Sequence, residues 1–163
     1  MDNINEKNVS ATERRKKTVQ TSQFIVVTLG KEQYGIDIRF VDNIVRMQRI
    51  TRVPKMPPYL IGIINLRGEV LPVISLRLKM GLEKDVYEKG TRIIILKTEA
   101  EGTIGVIVDE VREVVTLEET MVDKVDDLRI EGKNYVCNVG KRDNGDLISI
   151  LDLSMITLEE NAG

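Results

Sequence analysis

The tetrapeptide Gly35-Ile36-Asp37-Ile38 is answered 70 residues later by Gly105-Val106-Ile107-Val108, and Val41 and Ile44 are answered by Val111 and Val114 at the same offset. Farther on, Gly68, Leu71, Val73 and Leu76 are answered by Gly145, Ile148, Ile150 and Leu153, now 77 residues apart, so the second copy carries a longer loop. Self-similarity at a fixed period implies a fold assembled from two copies of one supersecondary unit. Each copy holds about five short apolar runs bounded by Gly, Asn and charged residues, the pattern of strands joined by hairpins. Five strands of ordinary length leave exposed edges unless the sheet curls closed. The expected fold class is therefore all-β: two small five-stranded β-barrels packed side by side, with short helical segments and an apolar seam between them that forms a groove.

Strands are predicted over 24–29, 34–38, 43–48, 59–66, 70–76, 92–97, 103–108, 111–116, 135–140 and 147–151. A helical turn is expected at 39–42, and Asp152 can cap a short helix over 153–158. Residues 1–22 are polar and read as a disordered tail, with a charged cluster at 13–17. Order is expected over 23–160, in halves of roughly 23–90 and 91–158. The segments 81–90 and 120–132 read as loops, the second anchored by Met121, Val122, Val125 and Leu128. Glu101-Gly102 is expected to turn. Asn144-Gly145 suits a type I′ turn.

The chain is 42% hydrophobic and only 4% aromatic, so its core has to come from Val, Ile and Leu. That β-branched excess favours strands. Net charge is −2. With acids and bases read as interleaved, there is no electrostatic reason to expect nucleic acid or an anionic membrane. Cys137 is the single cysteine, so no intramolecular disulfide can form, and a buried small hydrophobe in a reducing cytoplasm is expected there. Met47, Met56 and Met80 are expected to fill gaps in the core. Histidine is absent, which removes Ser–His and Cys–His nucleophile pairs and His metal ligands. Phosphate-cradling Gly-rich loops are missing too. The expectation is a non-enzyme with no cofactor and no metal. No run approaches the roughly 18 apolar residues of a membrane span, so membrane insertion is not expected.

All four prolines fall between Pro54 and Pro72. Pro54, Pro57 and Pro58 favour an extended lead-in to a hairpin whose tip is Arg67-Gly68, with Gly68 taking positive φ. A cation on a turn is ordinarily just solvated. A tip held rigid by such a lead-in has little entropy left to lose, which favours recognition of a partner. Val41, Asp42, Asn43, Ile44, Val111 and Val114 stand at matching points of the two copies. They are read either as plain core alternation or as the lining of a groove for a partner helix.

The run Pro54…Pro57-Pro58-Tyr59-Leu60-Ile61-Gly62-Ile63-Ile64-Asn65-Leu66-Arg67-Gly68-Glu69-Val70-Leu71-Pro72-Val73-Ile74…Leu76 closely resembles the signature of the chemotaxis coupling family CheW. Gly105-Val106-Ile107-Val108-Asp109-Glu110-Val111 and Leu147-Ile148…Leu151-Asp152 resemble it as well. The resemblance implies two five-stranded barrels and a non-catalytic adaptor. Such an adaptor ties the histidine kinase CheA, through its CheW-like regulatory domain, to the cytoplasmic tip of methyl-accepting chemoreceptors. It implies a cytoplasmic protein recruited to membrane-associated receptor arrays and monomeric on its own, with no nucleic-acid partner. By the same resemblance, Arg67, Asn43, Asp42, Val41, Ile44, Val111 and Val114 are the candidate receptor- or kinase-binding residues. Gly62, Asn65, Gly68 and Pro72 would build the turn of the binding hairpin. The chain departs from the pattern at Asn43, where many relatives carry Glu, and at Ser75, where Asp is common. No room is left beside the domain for a fused kinase or receiver, so the stand-alone form is expected. A small-barrel nucleic-acid binder is the alternative of a different class. It would need a basic face and stacking aromatics, against a total of six Phe and Tyr here.

Overall fold

A computed structural model describes residues 19–99, 102–124 and 135–156. Eleven strands run through them: β1 (Thr21–Leu29), β2 (Glu32–Asp37), β3 (Val41–Arg46), β4 (Leu60–Leu66), β5 (Glu69–Ser75), β6 (Arg92–Thr98), β7 (Gly102–Val108), β8 (Glu110–Glu118), β9 (Val122–Lys124), β10 (Val136–Lys141) and β11 (Leu147–Leu151). They form a six-stranded sheet, β8-β1-β2-β11-β10-β9, and a five-stranded sheet, β3-β6-β7-β5-β4. Under the sequence repeat, β1 to β5 correspond to β6, β7, β8, β10 and β11. The two strand orders then coincide, apart from the extra edge strand β9. Each sheet takes the first two strands of one copy and the last three of the other. A cut at residue 90 would pass through both sheets.

The strands join copies by parallel pairing, β2 with β11 and β5 with β7. Gly35 lies opposite Ile150, and Gly105 opposite Val73, as the repeat requires. A Cβ on Gly105 would stand 2.8 Å from Ile93 Cγ2, and one on Gly35 3.1 Å from Ile148 Cγ2. The repeated glycine therefore marks where the neighbouring strand's side chains close over the backbone. The bulges repeat as well. Pairing skips Asp42 in β3 and Arg112 in β8, and again Ile61 in β4 and Cys137 in β10. Such a bulge turns the residues beyond it to the other face. Hence Val41 and Val111 pack between the sheets, whereas Val45 and Val115 pack in the hollows of their own sheets.

The all-β class is observed, but the barrels are not closed. Both sheets are open and curl until their edges nearly meet. In the first, β8 reaches β10: a Cβ on Gly140 would lie 2.5 Å from Leu117 Cδ1, and Arg142 pairs with Glu113 at 2.8 Å. In the second, the chain beyond β3 swings back, and Thr51 exchanges two hydrogen bonds of 2.8 Å with Ile63 of β4. Side chains and one isolated bridge thus span the gap that a ladder would have to close. The core has three parts: a shared layer between the sheets around Ile36, Ile74, Ile94 and Val106, and one cluster in the hollow of each sheet. Apart from Phe24 and Tyr34, the buried hydrophobic residues among those described are all Val, Ile or Leu.

Several local expectations are corrected. β1 begins at Thr21, so Thr21 and Ser22 belong to the sheet and not to a tail; residues 1–18 lie outside the described residues. The helical turn is Ile38–Phe40, one residue early. Strand β9 sits inside the expected loop 120–132, while Val125 and Leu128 lie outside the described residues, as does Glu101. Asp152 does cap, accepting from Ser154 N at 3.1 Å, over a 3-10 turn Leu153–Met155. Residues 157 and 158 are outside the described set. At Asn144-Gly145 only Gly145 has positive φ, at 93°. Its N–H donates to the Arg142 carbonyl, so the connection is a four-residue turn ending in a left-handed glycine, not type I′. The proline-rich lead-in is folded instead of extended. Pro54 precedes a left-handed Lys55 (φ 62°), and Leu60 N closes a turn onto the Pro57 carbonyl at 3.0 Å.

Candidate functional site

Arg67 and Gly68 are the two central residues of a two-residue hairpin loop, with Leu66 opposite Glu69. Both have positive φ, 55° and 86°, the type I′ pattern whose twist matches the strands. Asn65 Oδ1 accepts from Gly68 N at 3.1 Å and pins the loop. Arg67 is exposed and makes no hydrogen bond or ion pair with any described residue. Gly62 and Pro72 do not belong to the turn. A Cβ on Gly62 would meet the Thr51 carbonyl oxygen at 2.1 Å, so glycine is required where the 50–53 segment crosses β4. Pro72 faces Ile63, whose N–H and carbonyl both point to Thr51. Pro72 therefore sits at a non-hydrogen-bonded position of β4, and pairing with β7 starts only at Val73. Its missing N–H costs no ladder bond.

The other candidates do not form one surface. Val41 and Val111 pack against the shared core. Ile44 and Val114 are exposed, at 37% and 50%. Asn43 Oδ1 accepts from Ile44 N at 2.8 Å, and Asp42, the bulged residue, pairs with Lys97 at 3.1 Å. The seam between the sheets is filled by core and is no trough.

What opens instead is a cleft of about 830 Å³ at one end of that seam. Its apolar walls include Phe24, Phe40, Leu117, Val122, Ile150 and Leu153, and its rim includes Asp37, Arg39, Lys97, Glu99 and Ser154. None of the seven candidate binding residues lines it. Phe40 is 41% exposed, with the Arg39 guanidinium 5.5 Å from its ring centroid. The Asp37 carboxyl feels burial pushing it up, but hydrogen bonds from the Arg39 side chain and backbone outweigh this and hold it below the ordinary value. Cys137 also lines the cleft. It is half-buried, and burial pushes its thiol up. One sequence signal pointed here unread: Phe40 is one of two phenylalanines in the chain and follows a charged residue outside any apolar run.

The repeat sets a tied end opposite the cleft. At the matching place on the opposite side, Arg77 pairs with Asp109 at 2.5 Å, and Asp109 Oδ2 accepts from Gly30 N at 2.7 Å. This bolt joins the β1–β2 turn, the helical turn Leu76–Lys79 and the β7–β8 junction, and so ties the two sheets. By the strand correspondence, Gly30, Arg77 and Asp109 map onto Glu99, Ser154 and Arg39. Those three line the cleft.

A family model described as a CheW-like domain matches residues 23–160. The chain belongs to the CheW-like family. It is 34% identical to the chemotaxis protein CheW of Helicobacter pylori over 151 residues, 93% of this chain and 90% of that protein. The Bacillus subtilis CheW is 33% identical over 141 residues, 86% of this chain and 89% of its own. Among solved structures, the scaffolding protein TtCheW from Thermoanaerobacter tengcongensis is similar with a TM-score of 0.74 at 33% identity, covering 82% of this chain and 90% of that one. Ser75 Oγ accepts from Leu78 N at 3.1 Å, capping the helical turn, and donates to the Asp85 carboxyl of the following loop. Burial pushes the Asp85 carboxyl up. Among the described residues, no helix is long and apolar enough to cross a membrane.

Proposed function

We propose that this chain is a non-catalytic chemotaxis adaptor that docks both a methyl-accepting chemoreceptor tip and the kinase CheA, so that receptor state sets kinase activity. The family match across 23–160 carries this reading. Two preformed surfaces support it: the apolar cleft beside Phe40, of a size to take part of a receptor helix, and the type I′ hairpin whose tip residue Arg67 has no partner among the described residues. Signal passes as a shift in the populations of the kinase's states, without bond chemistry in the adaptor. The protein works in the cytoplasm and is drawn to receptor arrays through these contacts. Binding of this kind typically buries about 1,000–2,000 Å² in total.

The test is a chemical-shift titration of labelled protein, first with a receptor-tip fragment and then with the kinase regulatory domain. Shifts at Phe40, Leu153 and their neighbours with one, and at the hairpin with one, are expected. Absence of shifts with both fragments overturns the reading.

A further inference from the structure

The charges of this chain are not interleaved throughout. From Asn43 to Gly68 there is no Asp or Glu, and five cations stand in that stretch: Arg46, Arg49, Arg52, Lys55 and Arg67. The whole chain carries −2, so the other 137 residues carry −7 against +5 here. All five side chains are exposed. None makes an ion pair or side-chain hydrogen bond with a described residue, although the chain forms such pairs elsewhere, as in Arg39–Asp37 and Lys97–Asp42.

The fold gathers these cations. The Thr51–Ile63 bridge brings the 46–55 segment onto β4, and at about 3.4 Å per residue each of the five lies within about 17 Å of that bridge. The two non-glycine residues with left-handed backbone among the described residues are Lys55 and Arg67, both members of the set. Such backbone is costly and persists where the surroundings impose it, commonly at recognition sites. Between the cations, Met47 and Ile50 are committed to the core of the second sheet.

We propose that this strip along the β3–β4 side of the second sheet, which holds no acid of its own although Glu88 lines a pocket with Arg46 at its β3 end, is a docking surface for an acidic face of a partner protein. The inference rests on the adaptor reading only for the choice of partner. No described side chain neutralises these cations, and an anionic surface laid over them supplies the missing partners, the more strongly at low salt because exposed charges are screened over about 8 Å at physiological ionic strength. A protein face is favoured over nucleic acid because Tyr59 is the one aromatic residue in the stretch, which gives no stacking platform. It is favoured over a lipid surface because the intervening Met47 and Ile50 are buried in the fold, and the −7 carried elsewhere opposes an extended anionic sheet.

The test compares the full chain with Arg49→Glu/Arg52→Glu and with the milder Arg49→Gln/Arg52→Gln, each checked for an unchanged thermal midpoint. Binding is measured to the receptor-tip fragment, the kinase regulatory domain, a 12-residue Glu/Asp peptide, phosphatidylserine vesicles and a short DNA duplex, from 50 to 300 mM NaCl. Expected is salt-weakened binding of one protein fragment, falling at least ~10-fold with the Glu variant and less with the Gln variant. Equal binding by all three proteins overturns the proposal, as does strip-dependent binding of vesicles or duplex in preference to the protein fragments and the peptide. If neither fragment binds but the acidic peptide does and depends on Arg49 and Arg52, the adaptor reading fails and the strip stands. If none of the three binds, both fail.

Discussion

Arg67 holds a backbone conformation that costs an ordinary residue about 1–2 kcal/mol and makes no hydrogen bond or ion pair with a described residue. Arg67→Gly relieves that strain but adds freedom to the unfolded chain, so stability is expected to stay level or rise by up to about 1 kcal/mol. Partner binding should fall at the same time. Urea unfolding beside a binding titration checks this, and a loss of stability above about 1 kcal/mol would assign Arg67 a structural role. Gly62 behaves oppositely. Gly62→Ala puts a methyl group against the Thr51 carbonyl, and is expected to cost about 1–3 kcal/mol or more through forced backbone movement. It should also break the two bonds between Thr51 and Ile63, read as faster amide exchange at both.

Among the elements, the bolt of Arg77, Asp109 and Gly30 is the polar joint between sheets. Its side chains are only 20% and 27% exposed, so charged hydrogen bonding there is worth about 1–3 kcal/mol. The Arg77 hydrogen bonds hold the Asp109 carboxyl below its ordinary value, against a smaller upward push from burial. A depressed carboxyl stabilises the fold above its unfolded pKa, near 3.9, and loses that contribution as pH falls through the folded value. Asp109→Asn is therefore expected to be less stable than the parent by about 1–3 kcal/mol at pH 7. The gap should close as pH falls below about 4. Denaturant unfolding between pH 3 and 7 shows whether it does. At the cleft end, Phe40→Ser should leave the melting temperature within a few degrees while weakening receptor-fragment binding, because the Phe40 ring is 41% exposed.

For the whole molecule, the exchange of strands between copies makes the two halves interdependent. Each half alone carries incomplete sheets, with the partners of β1, β2, β6 and β7 removed and the shared core opened. Fragments 23–90 and 91–158 are expected to be unfolded by circular dichroism when separate, and to regain strand signal when mixed. Cooperative folding of either fragment alone would mean that the copies do not depend on each other for their cores.

The strand runs, the Val/Ile/Leu core, the repeat and the Arg67-Gly68 hairpin were all legible in the sequence, because alternation, composition and turn chemistry act over a few neighbouring residues. The offset of 70 even anticipates the paired bulges at Asp42 and Arg112. Which copy supplies which strand was not legible, since pairing across 70 residues leaves no local trace and each run fits either sheet equally well. Closure failed for the same reason: it depends on whether distant edges meet, and here Leu117 against Gly140 and the Thr51–Ile63 bridge occupy the gap. Nor could spacing alone separate Val41 and Val111, turned inward by a bulge, from Ile44 and Val114, left in solvent. The cleft by Phe40 and the gathering of five cations exist only because tertiary packing brings remote segments together, while at the other end of the seam it brings Arg77, Asp109 and Gly30 into one joint.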